Sequence, residues 1–242
     1  MKKTSTCLIA ISIVFSQIVN ANTLDQQSVQ QFISYMEATH NYDGSSLNAI
    51  FKQAKYSSRV INAISKPAEA LPWYKYRPIF LQPERINQGI MFWEKHKETL
   101  LAAEKEYGVP AEIIVAIIGV ETRYGQYTGK DRVIDALSTL AFHYPKRSKF
   151  FRSELEQFLL LVREQNVDPY SIKGSYAGAM GIPQFISSSY RNYAVDFDAD
   201  NKIDIWNNPV DAIGSVANYF KQHGWSAGGE IAIKADVVNG QY

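Results

Sequence analysis

Cysteine is almost absent. The 242 residues hold one, Cys7, and it lies in an N-terminal stretch that reads as a leader. The rest of the chain therefore has no thiol, disulfide or cysteine-bound metal, and a chain of this length can bury a core without such staples. An excess of charge is also missing. Twenty-five basic residues against 24 acidic ones give +1, which excludes a protein built to neutralise nucleic-acid phosphates. No apolar run reaches the roughly 20 residues of a membrane span. The four histidines, His40, His96, His143 and His223, are scattered with no H-E-x-x-H pair, which excludes a zinc protease. The run Gly125-Gln126-Tyr127-Thr128-Gly129-Lys130-Asp131 is one residue short of a P-loop and ends in Asp instead of a hydroxyl. In Gly174-Ser175-Tyr176-Ala177-Gly178 the serine stands second, so the segment is no nucleophile elbow. Strand patterns are sparse, with weak alternation only at 229–238, and there is no internal repeat or low-complexity tract. With 46% apolar and 20% charged residues, wholesale disorder is excluded.

What is present begins with a leader. Lys2 and Lys3 precede an apolar stretch at 7–18, and Val19-Asn20-Ala21 fits a small-residue cleavage site. Residues 1–21 read as a cleaved signal peptide. Cys7 stands at the start of the apolar stretch rather than at its end and is thus badly placed for a lipobox, so the expectation is a soluble periplasmic or secreted protein. Beyond the leader, apolar residues recur at three- and four-residue spacing over 25–40, 44–65, 83–107, 109–122, 131–142, 146–165 and 209–223. Pro83, Pro110, Pro145 and Pro209 fit first-turn prolines of helices. The fold class expected is mainly α with a small β element.

Three segments carry chemistry. The run from Val109 to Gly125 is an apolar helix ending in Glu121, which the spacing puts on the face of Ile114, Ile117 and Ile118. A carboxylate desolvated there would favour its protonated form, as a general acid requires. The alternative is a helix-end glutamate turned to solvent or paired with Arg123. Residues 174–190 space Gly174, Gly178 and Gly181 by four and three, and Ser175, Tyr176, Gln184 and Tyr190 offer groups that could hold a sugar. The same spacing suits a tight helix crossing. The third segment, Asp196-Phe197-Asp198-Ala199-Asp200-Asn201-Lys202-Ile203-Asp204, matches a calcium loop with Asn201 at the turn glycine's place and Asn207 where the bidentate glutamate should be. Asp211 could supply that carboxylate; the alternative is a solvated acidic turn.

The run Ile118-Gly119-Val120-Glu121-Thr122-Arg123-Tyr124-Gly125, residues 174–185, and Asp211-Ala212-Ile213-Gly214-Ser215-Val216-Ala217-Asn218-Tyr219-Phe220 together resemble the lytic murein transglycosylase B family. Tyr76-Arg77 and Tyr144-Pro145-Lys146-Arg147 resemble family positions as well. The resemblance implies a helical N-terminal region at 22–82 and a lysozyme-like, α-rich core at 83–242, with the calcium-type loop at 196–211. It implies cleavage of the β-1,4 bond between N-acetylmuramic acid and N-acetylglucosamine, with Glu121 as the single acid/base. Most glycosidases need two carboxylates, but a 2-acetamido group can supply the nucleophile itself. By the same resemblance Tyr76, Ser175, Gln184 and Tyr219 would hold the glycan, and Lys146 and Arg147 would face the carboxylates of its peptide stems. Asp196, Asp198, Asp200, the Lys202 carbonyl and Asp211 would hold a structural Ca2+; no cofactor is expected for catalysis. Peptidoglycan strands are the expected partner, and the protein is expected to act as a monomer.

The chain departs from the family pattern by ending at Tyr242, where the family continues with an Arg-Tyr-Asn run that helps close the groove. This keeps a non-catalytic or truncated, calcium-stabilised peptidoglycan-binding protein open as the alternative. A plain muramidase would need a second carboxylate. Glu154 and Glu156 are at hand, but both fit a solvated helix face.

Overall fold

The computed structural model describes residues 23–66 and 71–232. The leader at 1–21 lies outside the described residues, as does most of the alternating stretch at 229–238. Helices dominate, as the periodicity predicts. α1 (Gln26–His40) starts at Asp25, whose carboxylate accepts from the Ser28 N–H, and stops at Asn41 in the left-handed region, φ 49°. α2 (Gly44–Gln53) starts at Asp43, which accepts from the Ser45 and Ser46 N–H groups. Those bonds and the two serine hydroxyls favour the charged form and hold Asp43 down at about 2.

Two of the expected long helices are each broken in two. The run 44–65 stops at Gln53 and resumes as α3 (Ser58–Ile64). The cause is α8 (Val133–His143): its Asp135 carboxylate accepts from Lys55 N at 2.8 Å and its Thr139 hydroxyl from Ser57 N at 3.0 Å. These bonds replace the helical ones, and the Ser57 side chain then caps α3. The run 83–107 divides at His96 into α5 (Pro83–Lys95) and α6 (Lys97–Tyr107). After the break α5 packs on α7 (Ala111–Thr122), while α6 packs chiefly on α11 (Pro209–Gln222). A short helix α4 (Trp73–Tyr76) precedes them. Pro83 and Pro209 occupy first turns, and Pro145 opens a 3-10 turn ahead of α9 (Ser148–Gln165). Pro110 stands one residue earlier than expected, as the extended cap of α7 with ψ 139°.

Of the stretch expected to alternate, only 229–232 fall among the described residues. Those four form no strand, and among the described residues β1 (Asp131–Arg132) pairs antiparallel with β2 (Lys173–Gly174), Asp131 opposite Gly174. A helix missed by periodicity, α10 (Ser187–Tyr193), has no side-chain cap of its own. Glu154 of α9 supplies one: its carboxylate accepts from Ser188 N at 3.0 Å and Ser188 Oγ at 2.7 Å. Glu154 is therefore 4% exposed, not solvated as expected. Glu156 is engaged too, with Tyr35 Oη at 3.2 Å and His40 Nε2 at 2.8 Å.

Two apolar clusters hold these elements. In one, Phe32, Met36, Leu47 and Phe51 of the N-terminal helices pack against Leu137, Leu140, Phe158 and Leu159 of α8 and α9. In the other, Leu100, Ile114 and Ile118 pack against Ile182, Ile213 and Val216. Each large side chain so buried contributes roughly 1.5–3 kcal/mol.

Candidate active site

α7 buries Ala111, Ile114, Val115, Ile118, Gly119 and Thr122. Glu121 follows Ile114 by seven residues, so it has nearly the same azimuth, yet it is exposed. This corrects the expected desolvation: the last turn of α7 stays packed through Gly119 and Thr122, but on the Ile114 side the packed layer ends before Glu121, which stands at a groove. Arg123, Tyr124 and Gly125 then all take positive φ, at 51°, 62° and 85°. Two successive non-glycine residues in this region are uncommon, and such strain gathers at functional sites. The Tyr124 ring lies where a methyl on Gly119 would sit, 2.6 Å from its Oη, so only glycine leaves room for it. Arg123 reaches Glu84 at 2.7 Å and Gln88 at 2.6 Å.

Thr122, 1% exposed, ties this turn to the next segment. Its hydroxyl donates to Ile182 O at 2.8 Å and accepts from Gly125 N at 3.0 Å. Residues 174–186 form successive tight turns, not a helix crossing. Ser175 N donates to Ala179 O, and Met180 and Phe185 exchange both backbone bonds. Gly178 and Gly181 have φ of 84° and 69°. Gln184, at φ 53°, donates its amide to Thr128 O at 3.2 Å and Gly181 O at 2.9 Å. Both amide hydrogens are thus used, and what Gln184 can offer a ligand is its carbonyl oxygen.

The result is a groove with a cavity of ≈ 320 Å³, bounded by Ile117 and Glu121 of α7, residues 183–186, Ser189 of α10, and Val216, Tyr219 and Phe220 of α11. Tyr219 forms an aromatic wall, 5.5 Å from Phe185, 5.2 Å from Tyr193 and stacked on His223 at 3.9 Å. Of the residues singled out in the sequence, Glu121, Gln184 and Tyr219 meet here. Ser175, Tyr76, Lys146 and Arg147 are not among the lining residues. Ser175 Oγ instead accepts from Ala177 N and Ala179 N. Tyr76 packs on Phe80 at 5.0 Å, and Arg147 lies over the Phe150 ring at 4.3 Å; Lys146 is exposed beside it. The sequence reading overlooked Phe185, Ser189 and His223. Only His223 had a signal, one helical turn beyond Tyr219.

Behind the groove lies the acidic loop. Carboxylate oxygens of Asp196, Asp198 and Asp211 come within 4.8 Å of one another. Asp200 does not join them; its carboxylate accepts from Lys202 N at 2.8 Å. Asn201 takes φ 70°, as its place in the turn demands, and Ala199 takes 60°. Asp211 is 0% exposed. Burial raises its pKa, with Asp198 and Asp196 adding to the rise, against the N–H groups of Asp204 and Phe197 that favour the charge. Asn207 bonds to Asp204, while Asn208 caps α11 and donates to Asp198 at 2.8 Å. An all-oxygen set around a buried carboxylate fits a hard divalent cation. Ile205 at the end of the loop accepts from Ile182 N at 2.8 Å, so loop, Thr122 and groove are mechanically connected.

The family described as Transglycosylase SLT domain matches residues 24–241. The chain is 47% identical over 224 residues to the membrane-bound lytic murein transglycosylase B of Escherichia coli (strain K12), covering 88% of this chain. It spans 61% of the length of that relative. Among solved structures, the soluble lytic transglycosylase SltB1 from Pseudomonas aeruginosa is 58% identical with a TM-score of 0.81, over 84% of this chain and 68% of that one. The Escherichia coli lytic transglycosylase Slt35 in complex with calcium is 49% identical with a TM-score of 0.79, over 84% and 65%.

Proposed function

Because the chain belongs to the transglycosylase SLT domain family, we propose that it cleaves the glycan strands of peptidoglycan as a lytic transglycosylase. The bond cut is the β-1,4 link from N-acetylmuramic acid to N-acetylglucosamine. The observation that carries this reading is the groove itself, where Glu121 stands beside Gln184 and the Tyr219–Phe185 wall and is the one carboxylate among the described lining residues. A lone carboxylate suits a reaction in which the substrate supplies its own nucleophile. Glu121 protonates the leaving oxygen while the acetamide oxygen attacks the anomeric carbon. As a carboxylate it then takes the proton of the muramic C6 hydroxyl, which closes on C1 to form the 1,6-anhydro ring without consuming water. Glu154 could serve as a base for water only if it were in the groove, and its oxygens are held by Ser188.

The aromatic wall supplies a face for sugar rings, and the Gln184 carbonyl an acceptor for their hydroxyls. Tyr76, Ser175, Lys146 and Arg147 belong to this reading as outer contacts with glycan or stem peptide. We assign Asp196, Asp198 and Asp211 to a structural Ca2+, with the Lys202 carbonyl as a further ligand and Asp200 joining only if its carboxylate turns from the Lys202 N–H to the ion. The calcium-bound relative and the buried Asp211 support that assignment. The ion would brace the loop that holds Ile182 and would take no part in the chemistry. Residues 22–82 are read as the N-terminal region and 83–242 as the catalytic core, acting as a monomer in the periplasm after removal of the leader. Among the described residues no helix is long and apolar enough to cross a membrane.

Residues 22–242 incubated with purified sacculi should release anhydro-muropeptides detectable by mass spectrometry, and Glu121→Gln should release none. Reducing ends in place of anhydro ends would replace this reading with a hydrolase. Sacculi left intact but bound by a folded wild type would replace it with a binding protein.

A further inference from the structure

A helix commonly ends through one left-handed residue, and glycine usually fills that place because it has no side chain to clash. The end of α7 departs from this twice. Tyr124 N donates to Ile118 O, six residues back, at 3.2 Å, which closes the helix in a Schellman turn. The left-handed places in that turn fall to Arg123 and Tyr124, at φ 51° and 62°, and glycine comes only third, at Gly125. Two large side chains thus stand where the backbone alone favours glycine, directly after Thr122 and within three residues of Glu121.

Both side chains reach the same helix. Arg123 Nε donates to Gln88 Oε1 at 2.6 Å, and a second arm of its guanidinium meets Glu84 Oε1 at 2.7 Å. Gln88 and Glu84 are one turn apart on α5, so the rigid fork spans both. Tyr124 packs alongside. Its ring lies 5.6 Å from Phe92 of α5, and its Oη lies 2.5 and 2.6 Å from where methyls on Gly89 of α5 and Gly119 of α7 would sit. The Glu84 side chain is 74% exposed, and an ion pair so solvated adds little stability. What the fork adds is direction: it ties the turn that follows Glu121 to a fixed stretch of α5.

We propose that Arg123 is a positioning residue for Glu121. Its fork on Gln88 and Glu84 holds the last turn of α7 against α5 and so aims the Glu121 carboxylate into the groove. Closing the helix needs no arginine, and the left-handed place would suit glycine better; the side chain is kept for where it points Glu121. This rests on the reading of Glu121 as the acid.

The test is Arg123→Gly in the full chain, which removes the fork and relieves the backbone at the same time. With glycan strands solubilised from sacculi, turnover at saturation should fall roughly tenfold to a hundredfold, the scale on which misalignment costs rate, while the half-saturating concentration stays as it is. The melting temperature should not fall. Glu84→Ala with Gln88→Ala, made on α5 and leaving Arg123 in place, should lose turnover to the same extent, and Gln88→Glu, which keeps an oxygen for Nε, should retain it. Amide hydrogen exchange on 15N-labelled protein reads the anchor without any turnover: the N–H groups of residues 121–123 should exchange at least roughly tenfold faster in Arg123→Gly, and those of Ile114 and Val115 at the wild-type rate. Wild-type turnover in Arg123→Gly, a change confined to the half-saturating concentration, or a loss of rate that comes with a lower melting temperature would each overturn the assignment. A wild type that releases no product would end the reading of Glu121; the exchange rates then judge the anchor alone, faster exchange upholding it and unchanged exchange overturning it.

Discussion

Thr122→Val replaces a hydroxyl with a methyl of nearly the same shape, so it tests bonding with little change in packing. Two backbone groups lose their partner: the buried Ile182 carbonyl and the half-buried Gly125 N–H. A stranded buried group costs roughly 1–3 kcal/mol. Taking about 2 for Ile182 and about 1 for the partly solvated Gly125, and allowing for the apolar gain of the methyl, the net loss is about 2–3 kcal/mol. At roughly 2–4 °C per kcal/mol for a chain of this size, the melting temperature should fall by about 5–10 °C. Thr122→Ser keeps the hydroxyl and should lose only about 1 kcal/mol, the worth of a buried methyl. Scanning calorimetry on the three proteins measures the stability effect. Release of anhydro-muropeptides well below the transition should fall in Val and not in Ser, because Ile182 leads directly to Gln184. The reasoning fails if Val melts with the wild type, or if Ser loses as much as Val.

The acidic loop gives a second expectation. Saturating Ca2+ at a hundred times its dissociation constant should add about 2.7 kcal/mol, visible as a higher melting temperature that Asp211→Asn abolishes. In chelator the gap between the two proteins should shrink, because burial disfavours the wild-type carboxylate as pH rises through the carboxylate range; an equal gap in both buffers would count against the site. Asp43 behaves in the opposite sense. Its folded pKa, held at about 2, lies below the ordinary 3.8, so its cap stabilises above that ordinary value and is lost as pH falls towards 2. Asp43→Ala should therefore melt below the wild type near neutrality and converge with it in acid; parallel curves would refute the assignment. Glu154→Ala strands Ser188 at the head of α10 and should cost about 2 kcal/mol, read from a denaturant midpoint, while anhydro products persist. Loss of product in a folded Glu154→Ala would mean that the carboxylate has a chemical role.

Helices with local signals were legible in the sequence. α1 has Asp25 and Asn41 at its ends, and α7 has Gly108 and Pro110 ahead of it, so their limits were nearly right. Where a boundary is set from elsewhere in the fold, local reading failed. The break after Gln53 comes from Asp135 and Thr139 of α8, about 80 residues away, while Val60 and Ile64 continue the helical spacing across it. α10 opens with three serines, poor helix formers, and borrows its cap from Glu154. The same limit applied to the site. Spacing put Glu121 on the correct azimuth of α7 but could not show that the packed layer ends one turn earlier. The acidic loop was legible because its residues are contiguous; that Asp200 turns to Lys202 instead of joining Asp211 depends on three-dimensional geometry.

The N-terminal helices carry a consequence for how the chain is made. Tyr42 bonds Leu159, Arg163 bonds His40, and Tyr170 bonds Ile50, across sequence separations of 117, 123 and 120 residues. Phe32 and Phe51 close their aromatic cluster on Phe142. α1 and α2 can touch each other early, but the surface that completes their core is synthesised later, at sequence separations from 80 residues for α8 to 123 for α9. Loop closure over such distances must precede the contacts that reward it, which slows folding. The emerging N-terminal segment thus has no complete native core to enter until α8 and α9 exist, so its packing is settled only after most of the chain has been made.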